Sequence, residues 1–264
     1  MKETRNLALD YIRVIALLGV VTDHCIQRFG YPFTVSGLWM GGVNVTIFFS
    51  LSAYLFGEKW RTQKSGFKAI PFLKKRVTRI YIPLWIVVLA IVPIEYYCYH
   101  QFDVKTIAYN MLGLGWAKPF GAGGHLWYIT MMMVLYVAFI LFSRMRLDKI
   151  PLWSWLLVLC GIILLYSVFP QYFMKYSHAG PLMFLWGASL FFYKGEEVLS
   201  LVSRHKFVAL TISTALAVSS WLLYVLVPNW HDAYKPWATI TTCLVGFIAF
   251  VVLSYFTVCE IFNI

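Results

Sequence analysis

The sequence predicts an all-α fold: a polytopic transmembrane helical bundle of about eight spans, with both termini in the cytoplasm. Three observations lead there. The 264-residue chain is 61% hydrophobic and only 12% charged, whereas soluble domains average nearer half apolar and a quarter charged. The apolar residues fall in runs of about 20, the length a helix needs to cross a bilayer. The basic residues between the runs alternate in number. Lys2, Arg5, the eight basic residues of segment 58–80, Arg144, Arg146, Lys149, Lys194, Arg204 and Lys206 share one side, 16 of the 22 in the chain. Arg28, Lys105, Lys118, Lys175 and Lys235 take the other side, and Arg13 lies within a run. The richer side is cytoplasmic by the positive-inside rule.

In chain order, the spans are expected at 7–29, 39–57, 81–100, 125–143, 152–169, 180–194, 207–227 and 237–259. The first is expected to be a span rather than a signal peptide: it is too long, holds Arg13 and lacks a small-residue cleavage site. Residues 103–116, "DVKTIAYNMLGLGW", open with a charge and are only mildly apolar. They read as an interfacial or re-entrant piece, because a ninth span there would invert every later connection. Tyr and Trp gather near the expected ends, as in "EYYCYH" and "HLWYI", which fits an interfacial belt. No repeat, low-complexity tract or linker divides the chain, so residues 1–264 are expected to form a single integral-membrane domain. Five scattered cysteines show no metal-binding spacing and suit plain apolar packing. No metal and no nucleic acid are expected; the +11 net charge serves orientation in so apolar a chain.

The first span carries the chemistry. Arg13 and His24 are eleven residues apart, within roughly 20° of three full turns and on the order of 16 Å along the axis. They share a face, and Asp10 is placed to pair with Arg13. Intramembrane ionisable residues usually face a bundle interior or a water-filled cavity. A neutral imidazole can take a proton from a hydroxyl near pH 7. His24, His100, His125, His178 and His231 all map to the outer half or outer loops, and Glu95 is a candidate partner for a histidine. In "FLKKRVTRIYIPLW" (residues 72–85), which reads as helix, Arg76 and Arg79 stand i, i+3 and share a face, with Lys75 adjacent. That cluster suits a phosphate-bearing ligand, and equally a basic loop touching anionic lipid. The second span carries Asn44, Thr46, Ser50 and Ser52, residue types that hydrogen-bond across packed helices.

Together these stretches resemble the acyltransferase-3 family of membrane O-acyltransferases. "LDYIRVIALLGVVTDH" (9–24) is similar to that family's opening helix. "GGVNVTIFFSLSAYLF" resembles its second helix, "KKRVTRIYIPLW" its Arg-x-x-Arg entry to the third, and "HLWYI", with His125 and Trp127, another recurrent stretch. The likeness lies mostly in residues 7–130. It implies transfer of an acyl group, commonly acetyl, from cytoplasmic acyl-CoA to a hydroxyl, mostly on sugars of bacterial surface polysaccharides or glycolipids, at the bacterial inner membrane. By position it implies His24 as the catalytic histidine, Arg13 as the essential arginine beside it, and Arg76 and Arg79 as the pair serving CoA. Ala53 stands where the family usually has Gly. The family typically has about ten spans, so against that resemblance a chain of eight is expected to be either a truncated form lacking C-terminal spans or a short member. A transporter or non-catalytic protein that binds an anionic ligand is the alternative from a different class.

Overall fold

Every regular element among the described residues is a helix. The computed structural model describes residues 7–29, 34–63, 68–100, 102–121, 124–169, 179–227 and 235–262. Nine α-helices run in order: α1 Leu7–Phe29, α2 Thr34–Thr62, α3 Ala69–Tyr99, α4 Val104–Met111, α5 Trp127–Arg144, α6 Trp153–Val168, α7 Ala179–Arg204, α8 Lys206–Leu226 and α9 Lys235–Phe262. Each expected span falls on one of the long helices. By length and composition, however, five helices can cross a membrane: α2, α3, α5, α8 and α9. The other three have physical reasons for falling short of that mark. α1 carries Asp10, Arg13 and Asp23, and α7 carries Lys194, Glu196 and Glu197. α6 has 16 residues, about 24 Å at 1.5 Å per residue, against a hydrocarbon layer of about 30 Å.

The chain divides into two compact units, Met1–Lys59 with Leu147–Ile264, and Trp60–Arg146. In the first, α1 buries Leu9, Ile12, Ala16 and Asp23, a stripe at helical spacing. Close approach replaces bulk at its crossings. A side chain at Gly41 would overlap the Asp23 carboxylate, one at Gly19 would overlap Asn44, and one at Gly57 would overlap the backbone of Phe192. Small residues that let backbones approach are a main route to association in lipid, where no hydrophobic force separates helix from solvent. α7 and α9 add aromatic edge contacts, with Phe191 and Phe250 centroids 5.0 Å apart and Trp186 and Phe247 5.4 Å apart. Polar ties join the helices as well. Trp155 Nε1 donates to Ser189 Oγ at 2.9 Å, and the Tyr224 and Thr242 hydroxyls meet at 3.0 Å.

The second unit is built on α3, which starts at Ala69 rather than at the expected 81. The basic run 74–79 is helix, as the i, i+3 reading of Arg76 and Arg79 expected, although the charge pattern also counts it within the 58–80 connection. At the far end, His100 takes a left-handed conformation (φ 52°) and caps the helix, its N–H donating to the Glu95 carbonyl. Asp103 then caps α4, accepting from Lys105 N at 3.0 Å and Thr106 Oγ1 at 2.8 Å. α4 runs back along α3. Tyr81 OH donates to the Leu112 carbonyl at 2.7 Å and Trp85 Nε1 to the Met111 carbonyl at 2.9 Å. Tyr81 precedes Glu95 by fourteen residues, about 21 Å along the helix. Segment 103–121 thus folds back along α3, with Gly113, Gly115 and Phe120 buried and Leu112, Leu114 and Trp116 exposed. Thr130 Oγ1 donates to the Gly113 carbonyl at 2.7 Å and accepts from Trp116 N at 3.2 Å. Gly113 makes the turn with φ 73°, under the Tyr81 hydroxyl. Leu84, Val88, Ile91, Phe120 and Leu126 pack as the core of this unit.

Candidate active site

Helix α1 presents the two residues expected to share a face. Arg13 and His24 are both exposed, off the buried Leu9–Ile12–Ala16–Asp23 stripe. Arg13 Nη1 meets Asp10 Oδ1 at 2.5 Å, the ion pair expected from their i, i+3 spacing. Asp10 lies in the first turn of the helix, where a negative charge is favoured by the helix dipole. A guanidinium tethered through one nitrogen keeps four more N–H donors for another anion.

Asn44 is buried, its Nδ2 donating to the Met40 carbonyl at 2.8 Å while Gly19 of α1 packs against its side chain. It joins α1 to α2 at mid-helix. Thr46 and Ser50 return their hydroxyls to Gly42 and Thr46 carbonyls, each at 2.8 Å, and Thr46 also meets Cys243 and Gly246 of α9. Ser52 is half-buried.

In the second unit, Lys75 and Arg79 are exposed and Arg76 is half-buried. The Arg76 guanidinium sits 5.3 Å above the Phe72 ring, a stacking that fixes its plane. Glu95 is buried at 5% exposure, beside Tyr99 and Gly121. His125 is exposed and Trp127 half-buried. Leu126, between them, packs with Leu84 and Val88, near the middle of α3. His178 and His231 lie outside the described residues.

Sequence reasoning passed over two groups. Asp23 precedes His24 and is buried at 4% exposure, its carboxylate against Gly41. Its signal was an acidic residue inside an apolar run, which is a functional candidate by default. The other is the Asp103–Lys118 ion pair. The Lys118 ammonium, followed by the Thr106 hydroxyl, holds the Asp103 carboxyl well below the usual carboxylate range. Fifteen residues separate the partners, and only the re-entrant turn brings them together. Among the described residues, no group of three His, Cys, Asp or Glu side chains gathers as a metal site would require.

The family profile described as Acyltransferase domain, the acyltransferase-3 family, matches residues 6–262. The motifs alone had extended the likeness only over residues 7–130; the profile carries it through α6 to α9 as well. No curated protein and no solved structure gives a match. Matched over nearly its whole length and built from long apolar helices, the chain belongs to the acyltransferase-3 family and is a multi-pass membrane acyltransferase.

Proposed function

We propose that the protein is an O-acyltransferase that moves a short acyl group, acetyl foremost, from cytoplasmic acyl-CoA to a sugar hydroxyl of a cell-surface polysaccharide or glycolipid. We place it in the bacterial inner membrane with eight spans and both termini inside. The observation that carries the reading is the presentation of Arg13 and His24. One helix turns a base and a tethered guanidinium off its packed stripe together, although an apolar side chain at either position would be cheaper in a membrane.

His24 is the general base. It takes the proton of the acceptor hydroxyl as that oxygen attacks the thioester carbonyl. The carbon–sulfur bond then breaks, the acyl group stays on the acceptor oxygen, and the imidazolium returns its proton to the departing CoA thiolate. Arg13, held by Asp10, steadies negative charge on the donor or on the developing oxyanion. Arg76, Arg79 and Lys75 take the CoA phosphates, for which guanidinium forks are suited. Asn44 and Ser52 on α2, and Glu95, His125 and Trp127 in the second unit, are supporting groups.

Purified protein given acetyl-CoA labelled in the acetyl group, with a panel of sugars and glycolipids, tests this. The expected result is CoA release matched by label on an acceptor. Uptake or binding of an anionic solute with no CoA release from any acceptor would overturn the reading.

A further inference from the structure

Two glycines in tandem, Gly41 and Gly42, lie on α2 within the first unit. Consecutive helix residues point about 100° apart, so the pair opens two flanks of α2 at one level. On one flank the Asp23 carboxylate of α1 lies against Gly41. On the other the Thr242 methyl of α9 lies against Gly42, where an added Cβ would come within 2.5 Å of it. One turn further along both helices the roles exchange, and a side chain at Gly246 of α9 would overlap Thr46 of α2. The Thr242 methyl has little freedom to give way. Threonine in a helix divides between two rotamers, and here its hydroxyl is engaged on both sides. It donates to the Ala238 carbonyl at 2.7 Å, so the Tyr224 hydroxyl of α8 is the donor in their 3.0 Å contact. Thr242 and Tyr224 are both buried.

We propose that the Gly42–Thr242 contact positions His24, with Thr242 as the positioning residue and Tyr224 fixing its rotamer. The inference rests on His24 being the base of the proposed transfer. Gly42 has no side chain to absorb a displacement, and close-packed interiors pass strain on. A shift of α2 at Gly42 therefore carries Gly41 with it, and the Asp23 carboxylate seated there. His24 follows Asp23 directly in the same helix. The level at which α9 meets α2 thus sets where the imidazole stands. Misplacing a reacting group by about 1 Å costs on the order of 10²-fold in rate. Donor binding should be indifferent to the contact, because Arg76 and Arg79 stand on α3. The contact governs the chemical step and not the hold on CoA.

The test moves one methyl across the crossing, in the full chain in lipid nanodiscs. Gly42→Ala puts a methyl where that of Thr242 already stands. Thr242→Ser removes the latter and keeps both hydroxyl contacts. Gly42→Ala should lower kcat for acetyl transfer by about ten- to a hundredfold and leave KM for acetyl-CoA unchanged. Gly42→Ala combined with Thr242→Ser should recover most of kcat. A loss of stability alone would shrink the active fraction without touching a second readout, the nitrogen NMR signals of the His24 imidazole, identified by their disappearance in His24→Ala. Those signals should shift or split in Gly42→Ala and return in the combined variant. An unmoved His24 signal in Gly42→Ala overturns the proposal, as does a combined variant no closer to wild type than the single one. If Gly42→Ala does not fold, Thr242→Ser alone decides: it should lower kcat severalfold and displace the same signal, and wild-type values of both overturn the proposal. Absence of acetyl transfer by the wild type sinks the enzymatic reading alone, because the imidazole signal still judges the contact. Transfer with an unmoved signal sinks the contact alone.

Discussion

Asp23 and His24 are consecutive residues with different surroundings. One residue turns a helix by about 100°, which sets Asp23 on the buried stripe of α1 and leaves His24 off it. Substitutions should separate their roles. His24→Ala removes little packed surface, so the thermal unfolding midpoint in detergent should hold within the scatter typical of exposed sites. Acetyl transfer should fall by about 10²–10⁴-fold, the usual loss with a general base. Near wild-type turnover in that variant would take His24 out of the chemistry. Asp23→Ala should do the reverse at the level of stability, lowering it by about 1–3 kcal/mol through loss of a buried polar group's contacts. His24 and Arg13 were legible in the sequence because ionisable residues inside an apolar run are few, and an eleven-residue spacing returns to one face. Asp23 was passed over, because its place against Gly41 depends on how α2 crosses α1.

At the scale of the element, α3 differs most from its sequence reading. Its apolar run set the span at 81–100, the spacing of Arg76 and Arg79 already read as helix before it, and helix propensity in "AIPFLKKRVTRI" extends the helix back to Ala69. Lys and Arg are good helix formers, so a basic stretch can continue a helix while masking its hydropathy. Arg76 and Arg79 consequently sit on a rigid element, one of them stacked on Phe72. Replacing both with Lys keeps the charge that orients the helix and loses the planar fork. Insertion should be unchanged, and the apparent KM for acetyl-CoA should rise by about five- to 150-fold, from about 1–3 kcal/mol of charged hydrogen bonds. The fall in kcat should be smaller, because phosphates bind alike in ground and transition states. An unaltered KM would favour lipid contact for both residues. A second element-scale expectation concerns the α2–α7 crossing. The added methyl of Gly57→Ala meets the Phe192 backbone, whereas that of Gly41→Ala meets a side chain that can swing. Overpacking costs about 1–3 kcal/mol, and the Gly57 variant should lie at the upper end, as thermal denaturation of the two would reveal. Those crossings were not legible, since glycines in apolar runs do not announce which neighbour they admit.

For the whole molecule, the proposed orientation rests on the 16 basic residues assigned to one side. Cysteine introduced at Gln63, in the turn that closes α2, should resist an impermeant thiol reagent in intact cells and react after permeabilisation. Ready labelling from outside would invert the donor and acceptor sides. The all-helical architecture was legible because runs of 20 apolar residues leave the backbone no other way to satisfy its hydrogen bonds in lipid. The fold-back of segment 103–121 along α3 was not, because its anchors, Tyr81, Trp85 and Thr130, lie outside it in sequence. That arrangement bears on how the protein is made. α4 has eight residues, too few to enter the bilayer as a helix in its own right. Two of its anchors emerge from the ribosome before the segment and the third after it. In the proposed orientation the segment would cross first as an ordinary loop and settle only once α5 has followed α3 into the membrane. Tyr81→Phe with Trp85→Phe should then leave insertion of the long helices intact while segment 103–121 stays open to external protease, and the nascent chain should pass through that same protease-sensitive stage on its way to the mature protein.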